Sequence, residues 1–294
     1  MTADSTPPLV TVIVTSYNHQ EFVAECILSI IRQTYKNIEL IVIDDGSPDE
    51  SQDIIRALAD EYDFQFVEQE NQGLATVLNN GIELAKGKYF ISIGSDDACM
   101  LDRIEKQVCF MESSENVAIC AGNYLVIDEN GIPKKRQNFS RPRELTFDDI
   151  YLHSDSGIKA PTAMIRTDIL RSVGGYDPNI RLEDIYMWLK ITRTGENAYV
   201  LGDVLAYYRK HGGNQSKDMC FMADSLEAIY GEYREHPQYE KMISTLLINL
   251  FVKSVRRGYK NSFGILKRLK PQYYNLKLVL FFLLWLIKLP TMNK

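Results

Sequence analysis

The sequence predicts an α/β fold with a mostly parallel central sheet, flanked by helices and followed by a helical C-terminal extension. Two observations support this fold class. Between residues 9 and 93, short apolar runs rich in β-branched residues alternate with segments that carry apolar residues at helical spacing. Beyond residue 219 the sequence is typical of helix to its end. Because parallel strands need crossover connections, helices are expected on both faces of the sheet.

The first hundred residues contain four predicted strands with three helices between them. Residues 9–15 form the first strand, after a double proline, and residues 21–33 form a helix with its apolar residues on one face. The remaining predicted strands are 38–43, 64–68 and 89–93, and the remaining helices are 49–62 and 74–85.

The next part of the chain is less regular. Strands are expected at residues 116–127, 162–166 and 199–208, and helices at 101–111 and 183–192. Glu129-Asn130-Gly131 is a turn composition, and the polar stretch that follows is predicted to be a loop up to about residue 143.

Composition limits the class of protein. The 294 residues are 45% hydrophobic and 24% charged, which is typical of a soluble globular protein. The five cysteines show no CxxC spacing, so thiols in a reducing compartment are expected in place of disulfides or a zinc site. The N-terminus lacks the features of a secretory signal, and cytoplasmic residence is therefore expected.

Polar side chains follow three of the predicted strands, at residues 15–18, 44–47 and 95–97. Ligands of parallel sheets bind beyond the carboxyl ends of the strands, so these loops are expected to form one crevice. Within it, Asp96 and Asp97 are adjacent carboxylates at the end of a buried strand, which favours a bound cation. The alternative is that they cap the helix predicted over 101–111.

The ordered motifs resemble those of the family 2 glycosyltransferases, inverting enzymes of GT-A fold that use nucleotide-diphosphate sugars. The resemblance covers residues 8–216, and it rests on this set: Val12 to Asn18, Gln33-Thr34, Asp44-Asp45-Gly46-Ser47, Asn71-Gln72-Gly73, Ser95-Asp96-Asp97, Gly174-Gly175-Tyr176-Asp177, Glu183-Asp184 with Trp188, and Tyr208 to His211. It implies a GT-A catalytic domain over 1–217, with a nucleotide-sugar half at about 8–100 and an acceptor half at about 101–217. Residues 218–294 are then a basic and apolar helical region.

The resemblance assigns the donor contacts to the first two loops. Thr15, Tyr17 and Asp45 are expected to hold the nucleoside, and Asp44 to buttress its loop. A carboxylate at position 45 matches the N3–H donor of uracil, which favours a UDP-sugar.

Ser95-Asp96-Asp97 stands where the family has its DxD motif, which holds Mg²⁺ or Mn²⁺ on the diphosphate. Asp97 is the expected direct metal ligand, with Asp96 contacting the metal, the ribose or the donor sugar. His211 and Arg209 lie in the segment that resembles the closing loop and are expected on the diphosphate or metal side. A structural histidine is the alternative for His211.

Inversion by direct displacement needs one base to deprotonate the acceptor hydroxyl. The family places it in the Glu-Asp motif, so Asp184 is the expected base, with Glu183 as the alternative. The same pair would also be favoured at a helix N-terminus without any catalytic role.

One departure from the family pattern concerns phosphate binding. Where the family commonly has Ala-Arg-Asn after the Asn-Gln-Gly motif, this chain has Val77-Leu78-Asn79, so an arginine that often reaches the nucleotide is absent. The diphosphate would then depend more on the metal, on His211 or on another basic residue such as Arg103.

The C-terminal region differs in charge from the rest. From residue 241 onward there are eleven lysines and arginines and no aspartate or glutamate, although the whole chain carries a net charge of −6. The apolar run at 278–287 is too short to span a bilayer. Apolar stretches with basic residues predict a region lying on an anionic membrane, and the alternative is a helical hairpin packed on the catalytic domain.

Membrane association would suit an acceptor linked to polyprenyl diphosphate, in O-antigen or capsule synthesis at the inner face of a bacterial cytoplasmic membrane. Nucleic acid is not an expected partner, because the first 240 residues are strongly acidic. Two other functions are weighed. A nucleotidyltransferase would need a glycine-rich basic loop after the first strand, and that loop is absent. A catalytically inactive binding or scaffold subunit is disfavoured by the intact carboxylates. The donor sugar, the linkage and the oligomeric state are not predicted.

Overall fold

The structure is a computed structural model that describes residues 6–152, 157–180, 182–212, 219–258 and 262–288. The elements of the first half are β1 (Val10–Ser16), α1 (Val23–Ile31), β2 (Ile38–Asp44), α2 (Ser51–Tyr62), β3 (Gln65–Glu68), α3 (Leu74–Leu84), β4 (Tyr89–Gly94), β5 (Ala98–Cys99), α4 (Arg103–Glu112) and β6 (Val117–Ile127). The second half contains β7 (Arg143–Leu145), α5 (Phe147–Leu152), β8 (Met164–Arg166), α6 (Thr167–Ser172), α7 (Glu183–Thr192), β9 (Asn197–Arg209), α8 (Met219–Gly231), α9 (Tyr239–Arg257), α10 (Ser262–Leu266) and α11 (Leu276–Lys288).

All the strands of the described residues belong to one sheet, in the order β3-β2-β1-β4-β8-β6-β9-β5, with β7 paired to β9. The pairs β3-β2, β2-β1 and β1-β4 are parallel, as predicted for the first half. β8 is antiparallel to both β4 and β6, so the sheet is mixed beyond β4.

Register explains why the loops meet. Ser16 pairs with Asp44, and Thr15 pairs with Gly94, so β1, β2 and β4 end side by side. The prediction that three loops converge at one edge of the sheet is therefore confirmed.

The core forms because both faces of the central strands are covered. The side chains of β1 are buried along most of the strand. α1 buries Val23, Cys26, Ile27 and Ile30, which recur at helical spacing on one face, against this sheet. Burying each such aliphatic side chain contributes about 1.5–3 kcal/mol, so this packing stabilises the scaffold under the loops.

The short strand β5 was not predicted, and it pairs the segment after β4 with β9. Ala98 pairs with Tyr207, and Cys99 pairs with Ala206, in antiparallel register. A two-residue strand carries no periodic signal in the sequence. Its pairing places the end of β9 beside the Ser95-Asp96-Asp97 turn.

The chain divides into two compact units, Met1–Asn179 with Met187–Gly212, and Ile180–Tyr186 with Gly213–Lys294. The first unit contains the sheet. The second contains the start of α7 and a helical group in which α8, α10 and α11 pack on α9. The predicted helical extension is confirmed, whereas the predicted boundary between residues 217 and 218 lies outside the described residues. Among the helices of the described part, none combines the length and the apolar character needed to cross a membrane.

Candidate functional site

Hydrogen bonds join the first two loops of the crevice, which follow β1 and β2. The backbone turns sharply at Asn18, whose φ of 59° lies in the left-handed region that asparagine tolerates better than most residues. The Asn18 N–H donates to Ser47 Oγ at 2.9 Å, and the His19 N–H donates to Ser51 Oγ at 3.2 Å. The loop after β1 therefore lies against the loop after β2.

Asp44 has the buttressing position predicted for it. Its carboxylate is fully buried and accepts hydrogen bonds from the backbone N–H and hydroxyl of Ser47 and from Gln52 Nε2. The carboxylate thus closes the loop and joins it to α2.

Asp45, predicted to contact the base, also accepts hydrogen bonds from backbone N–H groups. Its oxygens accept from Gln69 Nε2 at 2.7 Å and from the N–H groups of Gln72 and Gly73 at 2.9 Å each. Gly73 has a φ of 86° and directly precedes α3, so the carboxylate lies at the start of that helix. Three accepted bonds leave about one of the four acceptor positions of a carboxylate for a ligand.

The other two predicted nucleoside contacts differ in exposure. Thr15 is half-buried at the end of β1, and its hydroxyl lies 3.5 Å from the carbonyl oxygen of Ile93. Tyr17 is 48% exposed, which leaves much of its aromatic ring open to a planar ligand.

The two carboxylates after β4 have different environments. Asp97 is buried, and its Oδ1 accepts the backbone N–H of Arg209 at 2.8 Å. Burial, followed by the negative charge of Asp96, holds the pKa of Asp97 well above its ordinary value. The helix-capping alternative is wrong for both residues, because α4 begins at Arg103 and its N-cap position is Asp102.

Asp96 lies in a group of three potential metal ligands with His211 and His19. One ligand atom from each of the three lies within 4.8 Å of the others, and Asp96 Oδ2 is 3.1 Å from His211 Nε2. The two imidazole rings meet edge to face, with centroids 5.4 Å apart. The structure therefore brings together Asp96 and His211, both predicted on the metal side.

His19 was missed by sequence reasoning. Its Nδ1 lies 2.9 Å from Ser95 Oγ, which orients the ring, and burial lowers the pKa of this imidazole. A lone histidine after a strand carries no spacing signal. Its position directly after the Thr15–Asn18 loop was the only available indication.

The room around Asp96 depends on Gly94. A Cβ atom at this position would lie 2.7 Å from Asp96 Oδ1, which is closer than real Cβ contacts allow. Glycine at the end of β4 therefore lets the Asp96 carboxylate fold back over the strand toward the histidines.

Arg209, expected on the diphosphate or metal side, is held by hydrogen bonds to other parts of the protein. The side chain is 2% exposed, and it donates to the carbonyl oxygens of Asp96, Asp128 and Glu129. It also donates to Glu25 at 2.6 Å. Because all three guanidinium nitrogens are engaged by protein acceptors, this cation stabilises the turn under Asp96.

Arg103 does not take the place of the arginine that is missing from the family pattern. That side chain is fully buried and donates to Gln107, the Cys99 sulfur and the Ala163 carbonyl oxygen. At the position of the missing arginine, Leu78 is buried in α3, and Asn79 exchanges two hydrogen bonds with the backbone of Tyr176.

Glu183 and Asp184 belong to the second unit and occupy the first turn of α7. Burial, and then the negative charge of Glu183, raise the pKa of Asp184 to about 8. A carboxyl group with that pKa can take up or release a proton near neutral pH. The position in the first turn suits the helix dipole as well, so both interpretations of the motif are compatible with the structure.

Known structures share this architecture. The structure of S. aureus TarS 1-349 in complex with UDP superposes with a TM-score of 0.68 at 18% identity, covering 96% of this chain and 89% of that one. At that identity the likeness concerns the fold alone, and it confirms the predicted GT-A fold.

Two relatives are closer in sequence. The chain is 30% identical over 228 residues to the putative teichuronic acid biosynthesis glycosyltransferase TuaG of Bacillus subtilis, covering 76% of this chain and 88% of TuaG. It is 30% identical over 225 residues to the UDP-Glc:alpha-D-GlcNAc-diphosphoundecaprenol beta-1,3-glucosyltransferase WfaP of Escherichia coli, covering 75% of this chain and 86% of WfaP.

The profile of the family described as Glycosyl transferase family 2 matches residues 11–174. The match spans more than half of the chain and includes the loops after β1, β2 and β4. The resemblance predicted from the ordered motifs is confirmed, and the chain belongs to glycosyl transferase family 2.

Proposed function

We propose that this glycosyltransferase moves a hexose or N-acetylhexosamine from a UDP-sugar to a lipid-linked saccharide, with inversion and with a divalent metal. The observation that carries the proposal is the cluster of Asp96, His211 and His19 at the carboxyl end of β4, next to the loops expected to hold the nucleoside. A nucleoside site beside a cation site is what a nucleotide-diphosphate donor requires.

The donor atoms of the cluster support Mn²⁺ over Mg²⁺. Mg²⁺ strongly prefers oxygen ligands, whereas two imidazole nitrogens and one carboxylate suit a first-row transition metal. Asp96, His211 and His19 would hold the ion, and Asp97, expected from the sequence as the direct ligand, would position the turn through Arg209. When bound, the metal offsets the charge that develops on the departing nucleotide.

The remaining groups on the donor side bind and orient. Tyr17 presents an exposed ring for the nucleobase, Thr15 lies beside it along the chain, and Asp45 keeps an acceptor position for the uracil N3–H. The hydrogen bonds between the first two loops fix these groups before the donor arrives, which lowers the entropy lost on binding.

Asp184 is proposed as the base, and Glu183 as the alternative. Direct displacement at an α-linked anomeric carbon requires the acceptor hydroxyl to lose its proton as it attacks, and the product is then β-linked. The raised pKa of Asp184 supports its assignment, because a base with a pKa near the working pH removes a proton most effectively.

The acceptor class rests on the relatives. The name of WfaP states a GlcNAc-diphosphoundecaprenol acceptor, and that of TuaG states teichuronic acid biosynthesis. A polyprenyl-linked acceptor would place this enzyme at the inner face of a bacterial cytoplasmic membrane, in the synthesis of a surface polysaccharide such as O-antigen or capsule.

Nucleotide release tests the reaction. UDP release is measured with UDP-glucose, UDP-galactose and their N-acetyl forms, using a GlcNAc-diphosphate-lipid analogue as acceptor, with and without Mn²⁺. Acceptor-dependent release that needs the metal, and a β-linked product by NMR, are expected from one of these donors. No release from any donor would contradict the proposal and favour a binding or scaffold subunit.

Direct metal binding provides an independent readout. Mn²⁺ binding, followed by the loss of the free-ion signal in electron paramagnetic resonance, is expected to weaken at least about tenfold in Asp96→Asn, His211→Gln and His19→Gln. His236→Gln is the matched control, because His236 lies between α8 and α9 in the second unit. Equal Mn²⁺ binding by the control and the three variants would contradict the assignment of the cluster.

A further inference from the structure

The helix α11 exposes a continuous apolar stripe. Six of its aliphatic side chains are between 46% and 75% exposed, although each would normally be buried in a globular protein. They are Leu276, Val279, Leu280, Leu283, Leu286 and Ile287. Their spacing follows the three- and four-residue repeat of one helix face, so they form a single surface.

The opposite face of α11 holds the helix in place. Leu278 and Trp285, seven residues apart, are buried, and the helix packs on α9. The Trp285 ring stacks with Phe263 at a centroid distance of 5.6 Å. The helix is therefore apolar on two faces, of which one is packed against protein and the other faces outward.

Basic side chains border this surface. Lys277 lies on α11 itself and donates to Asn249 at 2.8 Å. The Arg256 guanidinium lies 5.0 Å from the ring of Phe281, another residue of α11. No acidic residue occurs after residue 240, so α11 and the segment that precedes it carry only positive side-chain charges.

We propose that the outward face of α11 inserts into an anionic lipid bilayer, with the helix lying along the surface. An exposed aliphatic stripe with basic side chains such as Lys277 and Arg256 beside it is complementary to lipid chains below a layer of negative headgroups. α11 has 13 residues, which is too short to span the bilayer and long enough to lie on it. The proposal deepens the lipid-linked acceptor of the proposed function, and its test does not depend on catalysis.

Vesicle co-sedimentation with the full-length protein tests the surface. Vesicles of phosphatidylcholine alone and of phosphatidylcholine mixed with phosphatidylglycerol are compared. We expect binding to the mixed vesicles, and a loss of about tenfold or more in the partition coefficient for Leu280→Gln/Leu283→Gln. Lys277→Gln is expected to weaken binding to the mixed vesicles several-fold and to leave binding to neutral vesicles unchanged.

The matched control is Leu101→Gln/Ile132→Gln, which removes two equally exposed aliphatic side chains from the first unit. This control should bind as the unaltered protein does, and melting temperatures should show that all variants are folded. Absence of vesicle binding by the unaltered protein would overturn the proposal, as would equal losses in the control. Self-association in analytical ultracentrifugation that the Leu280/Leu283 variant abolishes, without vesicle binding, would assign the stripe to a second copy instead. Failure of the lipid test with intact UDP release would leave the proposed function standing.

Discussion

Replacing Asp184 by asparagine separates a catalytic base from a carboxylate that only stabilises a helix. The amide has nearly the same shape as the carboxylate, and it cannot accept a proton from the acceptor hydroxyl. General-base catalysis is worth about 10²–10⁴ in rate, so kcat is expected to fall by that factor. If the carboxylate served only to stabilise the helix dipole, its replacement would change stability slightly and leave kcat close to its original value.

The pH dependence of kcat/KM is a second test of Asp184 as the base. Burial and the Glu183 charge raise the pKa of Asp184 to about 8, so the group is mostly protonated at neutral pH. With that pKa, about 10% of the sites are ionised at pH 7 and about 90% at pH 9, so kcat/KM should rise about ninefold between them.

The sign of the stability effect follows from the same shift. A carboxyl group whose pKa is raised in the folded state stabilises the protein most at low pH, below the ordinary value of 3.8. That stability is lost as the pH rises toward about 8. The amide of the variant cannot ionise, so the melting temperature of Asp184→Asn should rise relative to that of the unaltered protein as the pH increases from 5 to 9.

Glu183→Gln is the matched variant. It removes the negative charge beside Asp184, so the pKa of Asp184 falls and the rise in kcat/KM moves to lower pH. The assay is UDP release with a saturating acceptor analogue across this pH range. A large loss of kcat in Glu183→Gln together with an active Asp184→Asn would refute the assignment and make Glu183 the base. A pH profile that is the same in all three proteins would refute a role for either residue.

Three further predictions concern the scaffold of the donor site. Arg209→Met should lower the free energy of unfolding by about 3–5 kcal/mol in urea titrations, because buried carbonyl oxygens lose their donor. Arg209→Lys should recover only part of the lost stability. An unchanged urea midpoint in Arg209→Met would contradict the structural role. Gly94→Ala should weaken Mn²⁺ binding about tenfold at an unchanged melting temperature, since its Cβ would displace the Asp96 carboxylate, whereas Gly231→Ala, where the added Cβ has ordinary contacts, should bind normally. Asp45→Asn should cost about 1–2 kcal/mol and speed hydrogen exchange at the start of α3, and unchanged exchange at Gln72 and Gly73 would show that the carboxylate does not hold that turn.

Local sequence patterns were sufficient to predict the parallel half of the sheet. Strands β1, β2 and β4 and the helices between them follow the predicted ranges within two residues, because the two- and 3.6-residue periodicities of buried strands and amphipathic helices are read over short windows. The buttressing role of Asp44 was equally local, since its partner Ser47 is three residues away.

Long-range pairing was outside the reach of such patterns. The hydrogen bond between Arg209 and Asp97 joins residues 112 positions apart, and it exists because the two-residue strand β5 pairs with β9. Without that pairing, the burial of Arg209 and its hydrogen bonds to four protein acceptors cannot be anticipated from the sequence. His19 was missed for the same reason, because only folding brings it to Asp96 and His211.

The sequence by itself determined the family, the GT-A fold, the order of the loops and the carboxylates that they carry. These properties depend on residue type and short spacing, which are properties of the chain alone. The tertiary structure decided which of those side chains share a site: it joined Asp96 and His211 to His19, turned Asp97 and Arg209 toward each other, and left one face of α11 exposed. Those outcomes depend on burial and on contacts between distant segments, which come into existence only when the chain folds.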